Sequence, residues 1–264
     1  MSQTNRPARV MLLGLACAAL AGFTSCAGTT SSPSPDAGPA PVAEPGNSTR
    51  PASSPRVHQF PAPAEFVSNI DNPYLPLEPG TQWVYRTTSS EGSERIVVTV
   101  SAKTKQVAGV TATIVRDTVS APGEKLIEDT WDWYAQDVDG NVWYLGEYTE
   151  AYEDGKTSTE GSWEAGKGGA RAGIVMLAEP SPGDSYHQEY DKGDAEDYAE
   201  VLAVDASATV PFGSYRNMVK TLDVNPFEPK LREHKYYAEG IGFAFEEQVR
   251  GGDDRVRLVK MTTR

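Results

Sequence analysis

The chain has 264 residues, of which 39% are hydrophobic and 23% charged, with 24 Lys and Arg against 37 Asp and Glu. A net charge of −13 argues against a nucleic-acid partner and against a basic patch that would hold the chain to anionic lipid. Only two cysteines are present, and Cys17 falls inside an apolar leader, so a disulfide-stapled domain is excluded.

Residues 1–25 read as an export signal. Arg6 and Arg9 precede an uncharged apolar run over residues 10–23, shorter than the roughly 20 apolar residues a permanent spanning helix needs. It ends in Phe23-Thr24-Ser25-Cys26. This resembles the lipobox of bacterial lipoproteins, with Phe23 standing where that family has leucine. The resemblance implies diacylglycerol on the Cys26 thiol and cleavage just before it. Loss of residues 1–25, which carry two arginines and no acid, takes the charge from −13 to −15. Membrane attachment is then expected through the acyl chains, at about 0.8 kcal/mol per buried CH2, on the outer face of the cytoplasmic membrane or in the cell envelope.

Residues 26–63 are rich in Pro, Ser, Thr, Ala and Gly and predict a disordered linker. At about 3.1 Å per residue its reach is on the order of 100 Å. Asn47-Ser48-Thr49 has the form of a glycosylation acceptor, for which chance is the plainer explanation. Residues 64–264 are long enough for a single domain with its own core.

In that domain the apolar residues recur at spacing two. After one turn of helix near residues 64–69, strands are expected over 82–87 and 95–100, across a Ser/Gly turn, and then over 107–119. The clearest hairpin pairs 129–136 with 141–149 across Asp137-Val138-Asp139-Gly140, because Asp and Gly tolerate the positive φ of a tight turn. Further strands are expected over 185–190, 198–204, 217–224, 231–237, 241–249 and 255–261, with a mobile loop at 160–173. The fold class is all-β, an antiparallel meander curled into a barrel, half-barrel or sandwich.

The opening of the domain, Ile70-Asp71-Asn72-Pro73-Tyr74-Leu75-Pro76-Leu77 with Pro79-Gly80-Thr81-Gln82-Trp83-Val84-Tyr85, and its closing portion from Glu233-His234-Lys235-Tyr236-Tyr237 to Gly240-Ile241-Gly242 resemble a family of secreted β-rich bacterial proteins and lipoproteins whose activity is uncharacterised. The resemblance assigns no site. The late Tyr237-Ala238-Glu239-Gly240-Ile241-Gly242-Phe243 run is also similar to the last hairpin of periplasmic half-barrels that carry lipid or lipoprotein.

Candidate chemistry is sparse. His187 and Glu189, two apart on one expected strand, and His234 on another form a metal-ligand set if those strands are neighbours; exposed or core-edge histidines are the plainer reading. Asp137, Asp139 and Asn141 match the start of a calcium loop, but its sixth and twelfth positions hold Val142 and Tyr148, which favours a hairpin turn. Asp191, Asp194, Glu196, Asp197 and Glu200 read as solvated loop acids. The run from Gly161 to Lys167 has phosphate-loop spacing, but Gly168 replaces the required Ser or Thr. Trp131, Trp133 and Trp143 crowd one hairpin and offer either a stacking platform for a sugar or apolar ligand, or cross-strand packing. No G-x-S-x-G elbow is present. The sequence therefore predicts a membrane-anchored lipoprotein whose β-domain binds or scaffolds an envelope ligand or protein, with no cofactor. A carrier of lipid or another apolar molecule, and a metal-dependent hydrolase, are the alternatives.

Overall fold

Period-two runs rich in Val, Ile, Thr and aromatic residues favour extended chain, and that is what they form. The computed structural model describes residues 54–90, 92–193 and 195–263. Among the described residues there are sixteen strands and one 3₁₀ turn, Pro63–Glu65. The first nine strands are β1 (Phe66–Val67), β2 (Gln82–Ser89), β3 (Gly92–Val107), β4 (Val110–Ala121), β5 (Lys125–Asp137), β6 (Val142–Glu153), β7 (Lys156–Ser158), β8 (Trp163–Glu164) and β9 (Arg171–Met176). The remainder are β10 (Ser185–His187), β11 (Glu189–Tyr190), β12 (Tyr198–Val210), β13 (Gly213–Val224), β14 (Arg232–Ala238), β15 (Gly242–Arg250) and β16 (Arg255–Thr262).

Thirteen of these strands hydrogen-bond in the order β10-β12-β13-β14-β15-β16-β2-β3-β4-β5-β6-β9-β11. All the strand pairs are antiparallel, and the sheet curls into a nearly closed barrel. The two ends of the order, β10 and β11, are consecutive in sequence. Ser185–His187 pair with β12, and Glu189–Tyr190 pair with β9, so a single stretch changes partners at Gln188 and forms the seam. The expected strand over residues 185–190 is therefore two strands. Gly173 on β9 permits this approach, since a Cβ there would run into the backbone of His187 and Gln188.

The hairpin foreseen at residues 129–149 is present in register, with Thr130 opposite Thr149 and Trp131 opposite Tyr148. Its turn carries Gly140 at φ 95°, and the Asp137 carboxylate accepts from the Asn141 N–H at 2.9 Å and the Trp143 indole at 2.7 Å. Part of the expected loop at 160–173 is strand: Trp163–Glu164 and then Arg171–Met176 both pair with β6. The expected helical turn near residue 64 is the 3₁₀ turn, followed at once by β1 on β5.

Residues 54–63, expected in the linker, pack on the barrel. Arg56 bridges Tyr186 at the seam, and Phe60 lies edge-on to Trp143 at 5.4 Å. Bulky apolar side chains explain the difference from the sequence reading, because Phe60 and Phe66 cover aromatic surface that composition alone had assigned to no partner. A second apolar cluster, Met218, Tyr236, Ala238 and Ala244, is buried with Tyr215 and Phe245 packed against it.

Candidate functional site

Strand alternation sends one face of each strand into the barrel, and in this chain that face is strongly acidic. Asp117 on β4, Asp132 on β5, Glu147 on β6, Glu189 on β11, Asp197 just before β12, Asp223 on β13, Glu233 on β14 and Glu246 on β15 are all buried. One cation, Lys235 on β14, is buried with them at 2% exposure. Its ammonium lies 3.2 Å from Asp223 and 3.9 Å from Glu246. Asp223 also accepts from Thr221 and from the Gln188 side chain. Burial works against the Lys235 charge, but Asp223 and Glu246, with Tyr237 and Glu233, outweigh it and hold the pKa above the ordinary lysine value.

Among the described residues the other carboxylates of this set form no ion pair, and they and Glu246 are held in the protonated direction. Burial, followed by the nearby acids, pushes Asp117, Glu147 and Glu246 well above the usual carboxylate range. The same holds for Glu189 beside Asp197 and Glu147. Asp197 rises through burial although Lys235 pulls it down. Asp132 is raised by burial to about 7, with the Tyr144 hydroxyl acting in the opposite sense. Geometry requires a proton here. The Tyr144 hydroxyl is 2.8 Å from Asp132 Oδ1 and 3.0 Å from Glu147 Oε2, and a phenol has one hydrogen to donate. The second contact needs a proton on a carboxyl.

Carboxyls with raised pKa suit acid–base chemistry, but these are sealed from substrate. Tyr85, Tyr134, Tyr144, Tyr186 and Phe243 fill the interior, and the best-formed depressions lie elsewhere. Arg56, His58, Asp139, Asn141, Asp184 and Tyr186 line a cleft of about 400 Å³ beside the seam. Burial, then Arg56, lowers the His58 pKa there.

The residues singled out from sequence are dispersed. Cys26, the leader and Asn47 lie outside the described residues. His187 faces outward against Tyr190 and Tyr198, at ring distances of 5.9 and 6.3 Å, while Glu189 turns into the barrel. Parity fails between them because the chain changes partners at Gln188. His234 is on β14, with Nδ1 3.8 Å from Glu247. Three interstrand steps, β10 to β12 to β13 to β14, separate the two histidines, about 14 Å at the usual spacing. Burial lowers both histidine pKa values. Among the described residues no group of three or more His, Cys, Asp or Glu is placed to hold a metal ion.

The tryptophans also separate. Trp143 is buried under Phe60 and Phe66. The Lys105 ammonium caps Trp133 at 3.2 Å. Trp131 remains at the surface, 5.9 Å from Tyr148, which is 40% exposed, with the Arg116 guanidinium 5.4 Å away and paired to Asp129. Asp137, Asp139 and Asn141 form a turn, as their spacing suggested, and Asp197, read as a solvated acid, is buried.

Sequence reasoning also missed a basic face on this acidic molecule. On the outside of β16, β2 and β3, Arg257 pairs directly with Arg86, and Arg86 with Arg95. Neither β2 nor β16 contains an acid. Beside this row a groove of about 500 Å³ is lined by Thr88, Ser90, Gln248, Asp253, Arg255 and Arg257, among others. The signal was available in the residues Arg86, Arg95, Arg255 and Arg257, but not the registers that align them.

No protein-family model and no curated protein matches the chain. Two solved structures are similar. A "putative exported protein with YmcC-like fold" from Bacteroides fragilis is 14% identical, and the match covers 72% of this chain and 99% of that one at a TM-score of 0.45. A "putative lipoprotein" from Parabacteroides distasonis is 11% identical, over 72% and 98% of the two chains, at a TM-score of 0.40.

Proposed function

We propose that the chain is a lipid-tethered protein of the extracytoplasmic envelope whose barrel engages its partner on the outer surface and carries no cargo inside. The apolar leader, the Phe23-Thr24-Ser25-Cys26 junction and the Pro/Ser-rich stretch after it support the tether. The observation that carries the rest is the filled, acidic interior. An acyl chain or similar guest would have to displace packed tyrosines and lie against buried carboxylates such as Asp132, Glu147 and Glu189, surrendering the protein's own contacts and setting polar groups against hydrocarbon. This favours a surface binder over a lipid carrier. The sealed Asp132 and Glu147 likewise favour it over a hydrolase.

Native mass spectrometry of the full-length protein purified from its host membranes tests both halves. The expected mass is that of a chain beginning at an acylated Cys26, with no added lipid in the barrel. A retained apolar guest overturns the surface-binding half. Fractionation tests the tether: Cys26→Ser should release the protein from membranes, and continued membrane attachment without acylation overturns it.

A further inference from the structure

We propose that the outer face of β16, β2 and β3 is a binding site for a linear anionic polymer, held by the row Arg257–Arg86–Arg95. This deepens the surface-binding reading above and rests on it for physiological meaning. The three arginines sit directly opposite one another on adjacent strands, so their Cα atoms are spaced about 5 Å apart. Arg255 and Lys260 stand on the same exposed face. Like charges facing each other across strands are unfavourable, and an arginine cannot relieve this by losing its proton. Among the described residues no carboxylate forms an ion pair with Arg86, Arg95 or Arg257. Arg257 donates to the Thr88 hydroxyl at 3.0 Å, which orients it without neutralising it. The one acid lining the neighbouring groove, Asp253, is held by the Ser90 backbone N–H and hydroxyl at 2.9 and 3.2 Å. A row of planar donors at strand spacing matches successive phosphate or carboxylate groups on one chain, which each guanidinium can grip with two hydrogen bonds.

The charge distribution favours a polymer over a membrane surface. A net charge of −13 repels a broad anionic surface from the molecule, whereas a narrow chain can lie within the stripe and keep clear of the acidic remainder.

The test uses the full-length Cys26→Ser chain, so that vesicle binding does not report the anchor. Long-chain polyphosphate and polyglutamate supply phosphate and carboxylate arrays, and phosphatidylglycerol vesicles are read against phosphatidylcholine. The expected result is salt-sensitive binding of at least one polymer, weakened about tenfold or more by Arg86→Gln/Arg95→Gln/Arg257→Gln. Lys156→Gln/Lys192→Gln/Lys230→Gln, which removes the same charge elsewhere, should leave it nearly unchanged. The polymer should also raise the melting temperature of the parent chain and not that of the arginine variant. Should the triple variant not fold, Arg86→Gln is read in the same way. Equal loss in both triple variants, no polymer binding, or binding confined to phosphatidylglycerol vesicles overturns the proposal. These readouts need neither an acylated chain nor an empty barrel, so their failure is distinguishable from failure of the mass-spectrometric test.

Discussion

The inside of the barrel and the outside of β16, β2 and β3 both crowd charges of one sign, and they relieve the crowding by different means. Inside, carboxylates meet in a space closed to water, and a proton is the cheapest counterion. Asp132 and Glu147 share the Tyr144 hydroxyl, and among the described residues only Asp223 and Glu246 have the Lys235 ammonium within ion-pair distance. Outside, Arg257, Arg86 and Arg95 cannot discharge, so they stay charged and depend on solvent or on an arriving anion. A crowded acid can be stored, whereas a crowded guanidinium must stay at the surface. The net charge therefore describes neither region.

The interior half of this contrast is most directly broken at Lys235. Lys235→Met removes the one cation buried among the described residues and leaves Asp223 and Glu246 without it, so stability at pH 7 should fall by about 3–5 kcal/mol. The deficit should shrink at pH 5, where Glu246, whose pKa burial raises, takes up a proton. Urea unfolding at both pH values reads this, and an equal loss at each would mean that the cation does not compensate the acids.

A somewhat smaller effect comes from the acids themselves. The folded-state pKa of Asp132 is raised from 3.8 to about 7. Its contribution is therefore fully present below about pH 4 and is lost as the pH rises through about 7. Glu147, Glu189, Asp197 and Glu246 shift in the same direction. Thermal melting should consequently fall between pH 5 and pH 8, and Asp132→Asn, which keeps an acceptor for Tyr144, should flatten that fall. Melting that climbs across this window would contradict the protonated interior.

The exterior half is sharpened by the smallest change. Arg86→Gln removes the middle of the arginine row and should stabilise the free protein by about 0.2–1 kcal/mol at low salt. The gain should vanish in 1 M salt, where the screening length of about 3 Å falls below the strand spacing. A loss of stability at low salt would show that the row is already neutralised.

Strand identity was legible because the period of two holds through most of the domain, and the Asp137–Gly140 turn was readable from its residue types alone. Facing was less so. In Asp129-Thr130-Trp131-Asp132-Trp133 the tryptophans are the bulky apolar residues and suggest the core side, yet Asp132 and Thr130 point inward, while Trp131 and Trp133 pack on the outside under Arg116 and Lys105. An acid-lined barrel inverts the usual cue, and no local pattern announces the inversion. The His187–Glu189 pair failed for a different reason, since a change of strand partner at Gln188 lies beyond anything spacing can report. The arginine row depends on register between strands far apart in sequence, which alternation does not set.

The pairing of β16 with β2 has a consequence for the order of events in folding. Arg257 and Thr88, which touch across that pair, are 169 residues apart, whereas the neighbouring pairs from β2 to β6 and from β12 to β16 are local hairpins. Two meanders can therefore assemble early and independently, and the slow step is the long loop closure that zips them together. Until that encounter each half presents an unsatisfied edge to the surroundings, so a newly made chain is most prone to aggregate in the interval before its last described strand finds its first long one.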